Sequence, residues 1–336
     1  MFRRINSRAR VINLWQPFRS NRRIALLLNY AFALLQALFV RCDADCLVAI
    51  TGQVTDVAAV AWRRRRKALK VLYLDNLTVR GAPGSMWWLT VSDLCGRYAE
   101  SLYRRFDCVF AASSPVAEDA RNTGVPDENV YTTTCGLEEG VLLQALGNRP
   151  PRVAGRGIFV GRLNDAKGIF DLLLAWPEIL QQVPYASLLV LGDGDAETVQ
   201  RFRKSLRATP GSDRIATMGY VAGAHKYELL LSSSALLFPS YSESYGIAIA
   251  EALACGIPVV AYDIRGVTSN WGAVAHTVRV GDIHAFATMA ASALRGDLPR
   301  PVVDLPVSYD EFISTEIAVI RSRLGSLRMC GARGSP

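Results

Sequence analysis

Residues 238–263, FPSYSESYGIAIAEALACGIPVVAYD, divide into four pieces. The apolar run Ala235–Phe238 stops at Pro239, and the polar loop SYSES follows. A helical pattern then covers Gly246–Cys255, Gly-Ile-Pro breaks it, and a second apolar run, VVAY, closes the stretch. Strand, loop, helix and strand in that order predict one βαβ unit of a parallel sheet. Glu251 is conspicuous, because its neighbours IAIA and ALAC are apolar and a carboxylate there is costly unless paired. Glu243 lies in the loop, and the helix start at Tyr245-Gly246-Ile247 offers unpaired N–H groups at a sheet's carboxyl edge, where anions bind.

Outward from this unit the same alternation recurs. On the carboxyl side, a strand at 277–280, a helix at 283–295 and an amphipathic helix near 309–324 follow, with a tail after Leu327 read as disordered. Upstream, strands are predicted at 158–160, 187–191 and 215–219, with helices at 168–182, 195–207 and 225–232. The Pro-, Gly- and Arg-rich stretch near 147–157 reads as an interdomain linker. Before it, strands at 45–50, 70–74, 108–112 and 130–134 alternate with helices at 54–68 and 86–105. The fold class is therefore α/β with parallel sheets in two tandem units. The expected division is a basic segment at 1–22, an N-terminal Rossmann-like domain at 23–147, and a linker at 148–157. A C-terminal Rossmann-like domain at 158–305, a helix at 306–325 returning to the first domain, and a tail at 326–336 complete it.

The chain has 336 residues, half of them hydrophobic and a fifth charged, enough for two domains with sizeable cores. The seven cysteines are scattered, mostly in apolar surroundings, and read as buried thiols of a reducing compartment rather than a metal or disulfide framework. Residues 1–70 hold 14 Lys/Arg against 3 Asp, so the rest of a chain of net charge +8 is slightly acidic. That basic face, including Arg63–Lys67, suits an anionic membrane surface. A solvated face without a partner competes with this reading, whereas no nucleic-acid-binding pattern is present. The 17-residue run Ile24–Val40, interrupted by Asn29, Tyr30 and Gln36, is at the short limit for a spanning helix. It is read as a buried helix, and attachment to a membrane as peripheral. His225, His276 and His284 show no catalytic pattern.

The chemistry concentrates at the second unit's carboxyl edge. In Gly161-Arg162-Leu163-Asn164-Asp165-Ala166-Lys167-Gly168 two glycines let backbone approach a ligand, and Arg162 and Lys167 bring two cations to a strand end. With the helix start at 245–247 they make a diphosphate site that needs no metal. Gly192-Asp193-Gly194 follows the next strand, as ligand space or as a plain turn. Hydroxyl-seeking carboxylates beside a diphosphate site point to a nucleotide-sugar, and no separate cofactor is called for.

The combination GRL-x3-KG (161–168), GDG (192–194), FPS-x3-E-x-YG-x4-E-A-x3-G-x-PVVA (238–261) and YDIRG (262–266) resembles glycosyltransferase family 4, the group 1 glycosyltransferases of surface polysaccharide synthesis. The resemblance implies a GT-B fold, two Rossmann-like domains facing across a cleft, and a retaining enzyme. By that resemblance Glu243, Arg162 and Lys167 are catalytic, the two cations neutralising the leaving diphosphate. The donor site comprises Gly161, Arg162, Lys167, Gly192, Gly194, Glu243, Tyr245, Gly246, Ile247 and Glu251, with Glu251 holding the ribose hydroxyls. Family members open with a glycine-rich loop, but residues 1–22 contain no glycine, so the first domain is expected to be truncated. Asp75 or Asn76 could take the acceptor-side role, against an Asx turn. The implied activity moves a sugar from a UDP- or GDP-sugar to a saccharide or lipid-linked acceptor at the cytoplasmic face of the cell membrane. The alternative is a binding protein that no longer transfers sugar. A dinucleotide oxidoreductase is disfavoured because G-x-G-x-x-G follows no strand.

Overall fold

A computed structural model describes residues 45–50, 54–61, 68–75, 86–133, 135–148, 150–302 and 308–332. The basic segment 1–22, the apolar run 24–40, Arg63–Lys67 and Asn76 lie outside the described residues. Among those that are described, no helix is long and apolar enough to cross a membrane.

Contacts divide the chain into two compact units. The first contains β1 (Cys46–Ala49), α1 (Val54–Ala61), β2 (Leu69–Leu74), α2 (Met86–Tyr103) and β3 (Cys108–Ala111). Helix α3 (Ser114–Asn122) leads to β4 (Val130–Thr132), which completes a four-stranded sheet of order β1-β2-β3-β4. The β1–β2 and β2–β3 pairs are parallel. Leu69, Val71, Leu72 and Leu74 of β2 are all buried, the continuous apolar pattern of a strand covered on both faces.

The second unit begins near Thr132. It contains α4 (Glu139–Asn148), β5 (Arg156–Val160), α5 (Ile169–Gln182), β6 (Ser187–Leu191), α6 (Ala196–Ala208) and β7 (Ile215–Gly219). Then come α7 (Gly223–Leu231), β8 (Ala235–Phe238), α8 (Ile247–Ala254), β9 (Val259–Tyr262), α9 (Arg265–Trp271), β10 (His276–Val278) and α10 (Ile283–Arg295). All six strands pair in parallel, in the order β7-β6-β5-β8-β9-β10. The chain thus winds one way from β5 through β7, returns to the centre at β8, and winds the other way through β10. The β5/β8 junction is the topological switch point, the place where open α/β sheets hold ligands.

Side-chain alternation along the central strands builds two cores. Phe159, Leu237, Val260 and Tyr262 face Trp176 of α5 and Phe286 of α10. Ile158, Leu236, Phe238, Val259 and Ala261 face Leu142 of α4, Leu230 of α7 and Ile249 of α8. Each large side chain so buried contributes roughly 1.5–3 kcal/mol relative to exposure. Asp195 and Asp282 cap α6 and α10 by accepting from the N–H groups of Thr198 and Ala285 at 2.8 and 2.9 Å.

Two helices depart from the sequence reading. Helix α4 does not appear in the sequence reading, yet Leu142 and Ala145 pack it into the second unit. Helix α11 (Tyr309–Ala332) runs on through the stretch read as a disordered tail. Gly325, directly after Leu324, reads locally as a stop, but the helix carries no proline and continues through that glycine. Residues from Ile320 onward group with the first unit, where Arg323 donates to the Tyr131 hydroxyl at 2.8 Å.

Candidate functional site

The site is built from the loops that leave the carboxyl ends of β5 and β8. In the first, Asn164 accepts from the Lys167 N–H at 2.9 Å, folding Asp165–Lys167 into a 3-10 turn. Gly168 ends that turn at φ 67°, and a Cβ there would lie 1.7 Å from the Pro239 carbonyl oxygen. No side chain fits, so the two loops lie backbone against backbone. Ser240 Oγ and the Tyr241 N–H both donate to the Ala166 carbonyl, at 3.1 and 2.9 Å. The result brings Lys167 Nζ onto Glu243 Oε1 as an ion pair whose side chains are 17 % and 14 % exposed. That is a largely desolvated cation–carboxylate contact at the switch point.

Arg162 stands on the same loop, exposed, and among the described residues its guanidinium makes no ion pair. Gly161 and Gly192 meet directly: a Cβ on Gly192 would lie 1.8 Å from the Gly161 carbonyl oxygen. One on Gly194 would lie 2.7 Å from that of Leu163. The Gly-Asp-Gly turn therefore has a packing reason of its own, close approach of the neighbouring loop.

The loop after β8 enters α8 through Gly246, whose carbonyl accepts from the Ile249 and Ala250 N–H groups, while those of Ile247 and Ala248 have no intrahelical partner. Ile247, at the tip, is 48 % exposed, while Tyr245 is buried edge-on to Trp271 at 5.1 Å. Glu251 lies four residues further, roughly 6 Å along the axis. It is 6 % exposed and pairs with Lys226 of α7, at 2.5 Å, with the Tyr227 hydroxyl 3.4 Å away. Burial raises the Glu251 carboxyl above the ordinary range, and the Lys226 ammonium pulls it back. The unfavourable acid in an apolar helix is thus stabilised by a cation that sequence spacing did not flag.

Other missed residues act as supports. Asp171, in the first turn of α5, accepts from both Tyr241 and Tyr262 hydroxyls, each at 2.6 Å. Burial, then this bond, push the Tyr241 hydroxyl up to about 12. The clamp fixes the loop that carries Glu243. From the other side, Asn270 donates to the Ser244 carbonyl at 2.9 Å and Trp271 to that of Tyr245. Such long-range pairs leave no mark in local sequence.

Asp75 lies exposed, just beyond β2 in the first unit. His225 and His284 sit beside Glu228 and Glu178, at 3.4 and 2.7 Å, in surface pairs. Among the described residues no group of three or more His, Cys, Asp or Glu could hold a metal ion. Burial pushes the Cys46 thiol up to about 11 and those of Cys108 and Cys255 to about 12, so all three are unreactive at neutral pH.

Two parallel α/β sheets, the second doubly wound with charged loops at its switch point, define the GT-B glycosyltransferase class of fold. Sucrose-phosphate synthase from Thermosynechococcus elongatus superposes with a TM-score of 0.67 at 17% identity, over 94% of this chain and 83% of that one. Anabaena HepE in complex with UDP and glucose superposes with a TM-score of 0.61 at 19% identity, over 91% and 84%. In sequence, residues 155–295 match the family model described as Glycosyl transferases group 1. The phosphatidyl-myo-inositol mannosyltransferase of Mycobacterium leprae is 33% identical over 176 residues, 49% of this chain and 45% of the relative. The N-acetyl-alpha-D-glucosaminyl L-malate synthase of Bacillus anthracis is 25% identical over 200 residues, 57% and 51%. The chain spans about half the length of these curated relatives.

Proposed function

We propose that this protein is a retaining glycosyltransferase that moves a sugar from a UDP- or GDP-sugar to an acceptor hydroxyl without a metal. The observation that carries the reading is the desolvated Lys167–Glu243 pair at the β5/β8 switch point, beside the open N-terminus of α8. Lys167 and the exposed Arg162 neutralise the donor diphosphate, whose charge grows as it leaves. The N–H groups at Tyr245–Ile247 hold the distal phosphate. Glu243 positions the donor sugar and, through its ion pair, the Lys167 ammonium. Glu251 accepts from the ribose hydroxyls, with Lys226 keeping it ionised.

The acceptor attacks the anomeric carbon on the face the diphosphate leaves. The acceptor's proton passes to a leaving phosphate oxygen, so configuration is retained without a protein nucleophile. The acceptor is a lipid-linked saccharide of cell-surface polysaccharide assembly, met at the cytoplasmic face of the membrane through the basic N-terminal residues. Sugar transfer by the named relatives supports the reaction class.

Thermal shift with UDP-, GDP- and ADP-sugars, each with and without chelator, tests the donor site. One nucleotide series should stabilise the chain as RT ln(1 + [L]/Kd), unchanged by chelator. Transfer to a polyprenyl-diphosphate sugar tests the reaction. Stabilisation without transfer to this or other saccharide acceptors identifies a binding protein instead, and absence of both removes the proposal.

A further inference from the structure

At the amino end of β5, opposite to Gly161, a cavity of about 470 Å³ is lined by Leu146, Pro150, Arg152, Leu231 and Arg300. Three lining residues are apolar, two are arginines, and none is acidic. Among the described residues neither guanidinium has an ion pair. Arg152 reaches only the Cys255 carbonyl, at 3.4 Å. Partial burial, then the Arg300 charge, lower the pKa of Arg152. Arg295, by contrast, is matched by Asp297 at 2.8 Å. A third guanidinium, Arg156, donates to Ser232 Oγ beside Leu231 at 3.2 Å while its Nε is buried without a partner. Leu143, three residues before Leu146 on α4 and so on the same face, is 53 % exposed.

Like charges gathered on one concavity with no counter-charge among the described residues are held at a cost that a bound dianion removes. Guanidinium forks match phosphate oxygens, and the apolar walls suit a hydrocarbon substituent. We propose that this cavity is a second ligand site, separate from the switch-point site, that takes a phosphate monoester bearing an apolar group. The same chemistry is offered by a lipid headgroup and by a soluble phosphate ester.

Titration calorimetry on the full chain with inorganic phosphate and with hexyl phosphate tests this. An Arg162→Gln/Lys167→Gln background removes the cations at the other phosphate-attracting loop. Both probes should still bind there, hexyl phosphate the tighter. Adding Arg152→Gln and Arg300→Gln should weaken each at least about tenfold, one charge-assisted bond or more being lost. Leu146→Trp, which keeps both arginines and fills the cavity, should block hexyl phosphate, with thermal melts confirming that every variant is folded. Co-sedimentation with phosphatidylcholine vesicles containing phosphatidic acid separates the sources. Retention that needs Arg152 and Arg300 marks a headgroup, and binding of hexyl phosphate alone marks a soluble ester. No binding in the background, or affinities indifferent to Arg152→Gln/Arg300→Gln, overturns the proposal.

Discussion

Lys167 and Glu243 are 76 residues apart in sequence and form one ion pair, because β5 and β8 are adjacent strands whose loops touch backbone to backbone.

Removing one partner should therefore separate binding from turnover. Glu243→Ala is expected to lower kcat by about 10²–10³ while donor Kd changes only about threefold. Lys167→Met should weaken donor binding and turnover together. Steady-state transfer and calorimetry read both; equal rates for wild type and both variants remove these assignments.

The Lys226–Glu251 pair separates structure from function in another way. Lys226→Met alone leaves a buried carboxylate unmatched and should destabilise by about 3–5 kcal/mol. The double change Lys226→Met/Glu251→Leu should restore most of that stability yet bind nucleotide poorly. If the double variant binds nucleotide as wild type does, Glu251 is a structural residue only.

The same carboxyl gives a pH dependence. Burial raises its folded pKa above the ordinary carboxyl value of about 4.5, so the folded chain holds this proton longer than the unfolded chain. The contribution of Glu251 to stability therefore falls as pH rises from about 4.5 through its folded pKa. Lys226→Met should carry that fall to higher pH. Urea melts across pH 4–8, compared with Glu251→Gln, isolate the effect.

Asp171 accepts from two tyrosines at once, and each contact has its own variant. Tyr262→Phe and Tyr241→Phe should each cost about 1–2 kcal/mol. Tyr241→Phe should also lower kcat more than it raises KM, because it loosens the loop that carries Glu243. An unchanged kcat would make the clamp purely structural.

Two glycine contrasts test the loop contact. Gly192→Ala sets a methyl against the Gly161 carbonyl and should cost about 2–4 kcal/mol and shift the 161–168 loop. Gly140→Ala, in α4 with nothing within 4 Å, should stabilise by about 0.5–1 kcal/mol. Thermal melts rank the two.

Much of this was legible in the chain. Apolar runs and capped helical stretches located β5 to β10 to within two residues at each end, most plainly at β8 and β9, whose residues are all buried. Helix α4 was missed because Gly140 and Gly147 dilute its pattern and its burial comes from α7, 80 residues away in one contact, Asn148 to Glu228. The α11 extension was missed because Gly325 reads as a helix stop, while in the folded chain the helix continues through it.

Sequence alone determined the alternating strands and helices, the cationic loop at 161–168, and the oddity of an acid at 251. Those follow from local pattern and from the cost of burying charge. Only the tertiary structure decided which charges meet: Lys167 with Glu243, Lys226 with Glu251, Asp171 with two tyrosines, and Arg152 with Arg300. Strand order sets those meetings, and strand order is a property of the packed sheet rather than of any segment within it.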